Sequence, residues 1–198
     1  MNTTAAISIC SNALVLLGHS TISSFDEEGI GAKVASNFYE TSLLAKLGEY
    51  NWNFATKQKL LTKLSSSPQS ARWLYMYQLP TDHIRTLTTL PHSDYTIMED
   101  KVYSDNDNLE LEYIFRPDES FFPPLFREAL EYYLASKFAI PVTENATNAE
   151  IYGNQFSLSF RKAKGIDSLE TPNRGATEVA SLPYRMKYQS GRSLRGRR

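Results

Sequence analysis

Between Ala32 and Leu47 the apolar positions Ala35, Tyr39, Leu43 and Leu47 recur every four residues, with Val34 and Phe38 alongside and Tyr50 continuing the same side. Steps of three and four put these side chains on one face, which predicts a helix with a buried stripe. Lys33, Asn37, Glu40, Lys46 and Glu49 fall elsewhere and can face water. Helical from Ala32 to Tyr50, the segment is ~28 Å long at about 1.5 Å per residue, enough for the spine of a small domain. An aromatic cluster follows at once, Tyr50-Asn51-Trp52-Asn53-Phe54, and links this helix to what comes next.

A shorter helix precedes it. Ala6, Cys10, Ala13 and Leu17 make its stripe, Ile9 and Leu16 support it, Thr3 or Thr4 serves as N-cap, and Gly18 ends it as a left-handed C-cap. In the loop from Ser20 to Gly31, Ile22 and Phe25 can tuck inward while Asp26, Glu27 and Glu28 stay in water ahead of the second helix, whose positive end favours them.

After Phe54 the period becomes two. Thr56 to Leu64 mixes basic and apolar residues, Ser65 to Pro68 is a turn, and Trp73, Tyr75, Tyr77 and Leu79 alternate on one side. Ile84 to Leu90 predicts a further strand, Tyr95 to Met98 with Lys101 to Tyr103 a short hairpin, and Leu109, Leu111, Tyr113 and Phe115 a clean alternating strand. The helical period returns behind Pro123-Pro124, a pair suited to a first turn, with Phe126, Ala129 or Leu130, Tyr133, Leu134 and Phe138 on its face and Pro141 closing it. A fourth helix starts at Thr143 or at Thr147, where Glu150 completes capping-box spacing; its stripe is Ala149, Tyr152, Phe156, Ser159 or Phe160, and Ala163, fading near Gly165. Past Leu169 no periodic pattern survives.

The predicted class is α+β: an antiparallel four-helix bundle built from residues 1–55 and 121–168, with a small antiparallel β-sheet subdomain inserted at 56–120 and an extended basic C-terminal arm at 169–198.

Composition changes this picture little: 41% hydrophobic and 12% aromatic residues suit a packed globular chain, and no run approaches the roughly 20 apolar residues that cross a bilayer. The start lacks the basic stretch of a signal peptide, so synthesis inside the cell is the expectation. The single cysteine, Cys10, lies on an apolar helix side and is expected to be packed.

Charge changes it more. The formal net charge of −1 hides an asymmetry, for residues 183–198 hold six basic residues and no acid. Without those six, 15 basic residues stand against 22 acidic ones, a balance of −7 for the body. An acidic body with a basic end suggests an interaction tail. Within it Tyr184, Arg185, Lys187, Tyr188, Arg192, Arg195, Arg197 and Arg198 are the candidate partner-binding residues, tyrosines as anchors and basic groups for carboxylates or phosphates.

No catalytic or metal constellation emerges. His19, His83 and His92 have no ligand spacing. Asp105-Asn106-Asp107-Asn108 imitates the start of a calcium loop, but Glu110 stands where glycine is required and no closing glutamate follows, so a hairpin turn is expected. Gly29-x-Gly31 lacks a third glycine and a preceding strand. Trp52, Phe54, Trp73, Tyr75, Tyr77 and Tyr113 could stack nucleobases; in an acidic body with regular periodicity they are expected to be core.

Seven segments together resemble one family. They are A-I-S-I-C-S-N-A-L-V-L-L-G (6–18), I-S-S-F-D-E-E-G (22–29), S-N-F-Y-E-T-S-L-L-A-K-L (36–47), Y-N-W-N-F-A-T (50–56), Y-Q-L-P-T-D-H-I-R (77–85), L-E-L-E-Y-I (109–114) and F-P-P-L-F-R-E-A-L (122–130). In order and spacing they resemble the tail tubular protein A, or head-to-tail adaptor, family of short-tailed bacteriophages, over roughly residues 5–165. The resemblance implies a structural virion protein and no enzyme: a dodecameric ring beneath the portal protein at the capsid vertex, a platform for the tail nozzle protein and tail fibres, and a channel through which DNA passes without sequence-specific contact. It implies no cofactor, no metal and no membrane, and assembly in the tail after synthesis in the host cytoplasm. The resemblance does not extend past Leu169; the charge, length and missing periodicity of the basic arm lead to the expectation that Tyr184 to Arg198 orders on the portal. The alternative expectation is a DNA-binding accessory protein whose arm grips phosphates.

Overall fold

Two helices open the fold in the computed structural model, which describes residues 3–66, 68 and 71–170. Helix α1 (Thr3–Leu16) buries Ala6, Ile9, Cys10, Ala13 and Leu14. Leu14 holds the inner position expected of Leu17, because the helix stops at Leu16 and Gly18, at φ 75°, turns the chain; His19 N then donates to Leu14 O at 3.0 Å. That backbone region costs glycine nothing and most residues something. Helix α2 (Ile30–Gly48) carries Ala35, Tyr39, Leu43 and Leu47 inward as its spacing predicts, while Phe38 stays exposed and Ser42 takes an inner place. At the α1–α2 approach a Cβ on Gly31 would lie 3.2 Å from Leu14 Cδ1 and 3.3 Å from the His19 ring, so the absence of a side chain sets how closely the helices meet.

The aromatic cluster after α2 joins the helical core. Trp52 is 1% exposed and meets Phe126 and Phe160 edge-on, with ring centroids 4.9 and 5.4 Å away. Such tilted contacts suit the ring quadrupoles. Its Nε1 donates to Lys46 O at 3.1 Å, satisfying one of the carbonyls a helix end leaves without an internal partner. A 3-10 turn at Asn53–Ala55 leads into the strands.

These are β1 (Thr56–Leu60), β2 (Tyr75–Gln78), β3 (His83–Leu90), β4 (Tyr95–Met98), β5 (Lys101–Ser104) and β6 (Glu110–Phe115), and they form two three-stranded antiparallel sheets, ordered β1-β6-β3 and β2-β5-β4, where one small sheet is expected from the sequence. One passage of chain stitches them together: beyond β1, Leu61 N donates to Leu109 O (2.8 Å), Leu64 N to Met76 O (2.8 Å), and Gln78 N to Thr62 O (3.1 Å). Successive strand residues face opposite sides of a sheet. In β6, Leu111 and Tyr113 pack with Leu61, Tyr77, Val102 and Leu109, while Ile114 packs with the helices in the other core.

Helix α3 (Pro124–Thr143) begins at the expected prolines and runs past Pro141, which sits inside its last turn instead of closing it. The closure falls at Glu144, in the left-handed region at φ 53°, whose N–H donates to Ile140 O at 3.0 Å. Helix α4 (Ala146–Leu169) is capped by Asn145 and not by either threonine: Asn145 Oδ1 accepts from Thr147 N (2.9 Å) and Asn148 N (3.3 Å).

The expectation of a four-helix bundle is overturned by how these helices pack. Helix α3 is a hub that packs against α1, α2 and α4; α1 and α2 touch only slightly, and neither lies along α4. A bundle would give each helix two long neighbours around a common core. Here α4 lies closely along α3 and meets α2 and α1 only through side chains, Lys46 over the Phe156 and Phe160 rings and Tyr152 OH on Leu16 O, while β3 and β6 of the first sheet also touch α2. A partly buried ion network fixes that contact: Arg116, just past β6, donates to Glu40 of α2 through Nε (2.8 Å) and Nη2 (3.0 Å) and to the fully buried Glu119 (2.6 Å), which also accepts from Tyr39 OH at 3.2 Å.

Candidate partner interface

Tyr184, Arg185, Lys187, Tyr188, Arg192, Arg195, Arg197 and Arg198, the residues singled out for partner binding, lie outside the described residues. The structure describes the end of α4 from which that arm leaves. Here α4 is fastened to the α2–β1 connection. Both carboxylate oxygens of Asp167 accept from Asn53 N at 3.1 Å, and Asp167 O accepts from Asn53 Nδ2 at 2.6 Å. Tyr50 OH donates to Lys164 O at 3.4 Å, and Lys164 Nζ stands 3.6 Å from Glu49 and 4.3 Å from the Phe160 ring centroid. Burial raises the Asp167 carboxyl above the usual carboxylate range; the Asn53 N–H opposes that shift and the charge of Glu170 adds to it.

Beside this joint a cavity of about 180 Å³ opens between Trp52, the start of α3 at Pro123, Pro124 and Phe126, and the α4 residues Ile166 and Asp167, with Glu170 at its edge. Sequence periodicity misses Asp167 because it follows apolar positions. The signal was the spacing itself: Tyr152, Phe156, Phe160, Ala163 and Asp167 continue one helical stripe, so the acid falls on the buried face.

Several apolar residues of the helices stand exposed. On α4, Ile151, Leu158, Ile166 and Leu169 line one outward strip and are each about half exposed or more. On the α1 and α2 side, Val15, Ile30 and Phe38 are exposed. Of the basic residues in the C-terminal half of α4, helical spacing puts Lys162 on the α4 strip and Arg161 beside it, while Lys164 turns to Glu49 and Phe160.

The remaining candidates resolve into supports. Cys10 is buried, and burial pushes its thiol up to about 12. His83 Nε2 stands 2.9 Å from Thr86 Oγ1 and burial lowers its pKa; His92 Nδ1 stands 3.0 Å from Thr88 Oγ1, and His19 Nδ1 stands 3.2 Å from Ser20 O. Among the described residues no three histidine, cysteine or acidic side chains gather as metal ligands. The acidic turn after β5 points its groups apart: Asp105 accepts from Leu74 N at 3.0 Å, Asp107 pairs with Lys63 at 2.5 Å, and Asn106 bonds Ser93. Of the aromatic residues, Trp52, Tyr77 and Tyr113 are buried, and Trp73 lies under the Arg72 guanidinium at 4.3 Å. No helix among the described residues is long and apolar enough to cross a membrane. No protein-family model matches the chain, and no curated protein matches it.

Proposed function

We propose that this chain is a structural adaptor of the short-tailed phage type: a subunit of a twelve-fold ring at the portal vertex that joins the portal to the tail nozzle, continues the DNA channel and performs no chemistry. The observation that carries the reading is the set of seven resembling segments, in one order and spacing. They fall on α1, the loop behind it, α2, the Trp52 cluster, the β2–β3 turn, β6 and the start of α3. A ring with head-to-tail contacts needs two different faces on each subunit, one meeting the other on the next copy. The apolar strip on α4 is one surface suited to such a contact, and the exposed Val15, Ile30 and Phe38 on α1 and α2 are apolar residues elsewhere on the subunit, which supports this reading. In a ring, arm contacts that are individually weak recur at every subunit and act together through linkage.

The experiment is electron microscopy of the purified full chain, alone and mixed with portal dodecamers. A twelve-fold ring under the portal is expected, and removal of residues 183–198 is expected to weaken joining to DNA-filled heads. A chain that stays monomeric in both preparations overturns the reading. The basic end favours a second reading, an accessory DNA-binding protein. It requires binding to free duplex DNA, with log affinity falling by about 0.9 per neutralised phosphate contact for each decade of salt.

A further inference from the structure

The cavity at the root of the arm has a size and a chemistry that select its occupant. At about 180 Å³ it falls below the roughly 300–1,000 Å³ of small-molecule sites and close to the roughly 150 Å³ that accommodates a benzene ring. Its walls are an indole, a phenylalanine, two prolines and an isoleucine, so it suits an apolar ring. Its polar groups are both acids. Asp167 is 5% exposed, and its described hydrogen-bond donor is a single backbone N–H shared between two oxygens. A carboxylate offers about four acceptor positions, so capacity remains for another donor. Glu170 adds negative charge at the rim. The matching ligand is a phenol flanked by cations.

We infer that the cavity seats this chain's own C-terminal arm through residues 184–188, with a tyrosine ring between Trp52 and Ile166, its hydroxyl donating to Asp167, and Arg185 or Lys187 beside Glu170. Tyr184 and Tyr188 are the only aromatic residues after Glu170, and both adjoin these cations. Connectivity adds to the fit, since Glu170 lines the cavity and 13 residues separate it from Tyr184. A tether of that length reaches ~46 Å at most; for a chain without secondary structure the average span is ~20 Å, which gives an effective concentration in the millimolar range. The seat holds the aromatic half of the arm on the body and leaves Arg192, Arg195, Arg197 and Arg198 to extend beyond it. This inference does not depend on ring assembly.

Trypsin tests it on the full chain. First-cut rates after Arg174, Arg185, Lys187 and Arg192, followed by mass spectrometry, are each divided by the rate at the same bond in a free peptide of residues 171–198. The expected result is at least tenfold protection after Arg185 and Lys187 and little after Arg174 and Arg192. Ile166→Asp changes a half-exposed wall residue and is expected to abolish the protection with unchanged circular dichroism, as is the pair Tyr184→Ala and Tyr188→Ala, which leaves the body untouched. Equal rates in chain and peptide overturn the inference, as does protection that survives both variants. Protection that disappears on dilution means that the segment comes from another copy and overturns the seating within one chain.

Discussion

Asp167 is an acid held in a place that suits its neutral form. In the unfolded chain it loses its proton at the ordinary carboxylate pKa, about 3.9. In the folded chain burial, with the charge of Glu170, moves that loss to higher pH. Between the two values the folded state binds a proton that the unfolded state has released, so this residue's contribution to stability is complete below the window, falls as pH rises through it, and is level above it. Asp82 runs the opposite way. Burial, its largest single influence, pushes its pKa up, but hydrogen bonds from Lys57 and Tyr113 outweigh that and bring it below the usual range, so its contribution is lost as pH falls. Asp167→Asn keeps an oxygen to accept from Asn53 N and removes the buried charge. Its urea midpoint at pH 7 is expected to equal or exceed that of the native chain, and the difference between the two proteins should shrink as pH drops below the window. A loss above about 1 kcal/mol at pH 7, the size of a typical net hydrogen bond, would show that the charged form is required.

At the scale of elements, helix α4 lies closely along only one other helix, α3, so the satisfaction of its own end groups matters to its stability. Asn145 satisfies two N–H groups at its start, both in an exposed setting where water is the alternative partner. Asn145→Ala is expected to cost about 1 kcal/mol, the usual value for an N-cap, and to lower the melting temperature by roughly 2–4 °C, while Asn145→Asp restores it. An unchanged melting temperature would mean that this end frays without consequence. The same helix shows what periodicity can convey. Its apolar stripe and those of α2 and α3 are legible because a 3.6-residue repeat is local, and the six strands emerge near their expected places because alternation is local too. Asn145 was hidden behind the capping-box spacing of Thr147 and Glu150, a pattern that identifies a helix start without fixing which residue occupies it. The packing partner of each stripe was not legible at all. A stripe states that a face is buried and leaves open against what, so four amphipathic helices suggest a bundle even where a sheet covers one of them. The cavity was equally hidden, since it depends on Asn53 meeting Asp167, residues 114 positions apart.

For the molecule as a whole the decisive strand is β6, whose two faces serve two cores. Tyr113 points into the sheet core with Tyr77 and Leu109, and its neighbour Ile114 points into the helical core with Trp52 and Phe126. Neither core keeps its wall if β6 leaves. The passage from β1 to Leu64 repeats this dependence, pairing first with β6 and its approach and then with β2. Arg116 adds a third tie between the exit of β6 and α2. A second sheet standing on its own few strands would be marginal, whereas one that shares a wall gains its stability from the larger core. The two tryptophans report on the two regions separately, Trp52 buried among the helices and Trp73 just before β2. In Trp73→Phe the fluorescence follows the helical core, and in Trp52→Phe it follows the sheet end of the molecule. Cooperative unfolding requires different probes to change together. Each single-tryptophan protein is therefore expected to unfold in urea with its fluorescence midpoint matching the midpoint of its own far-ultraviolet circular dichroism. If the Trp73 signal is lost at clearly lower urea than the circular dichroism of the same protein, the second sheet melts as an independent unit and β6 is not the shared wall inferred from its two faces.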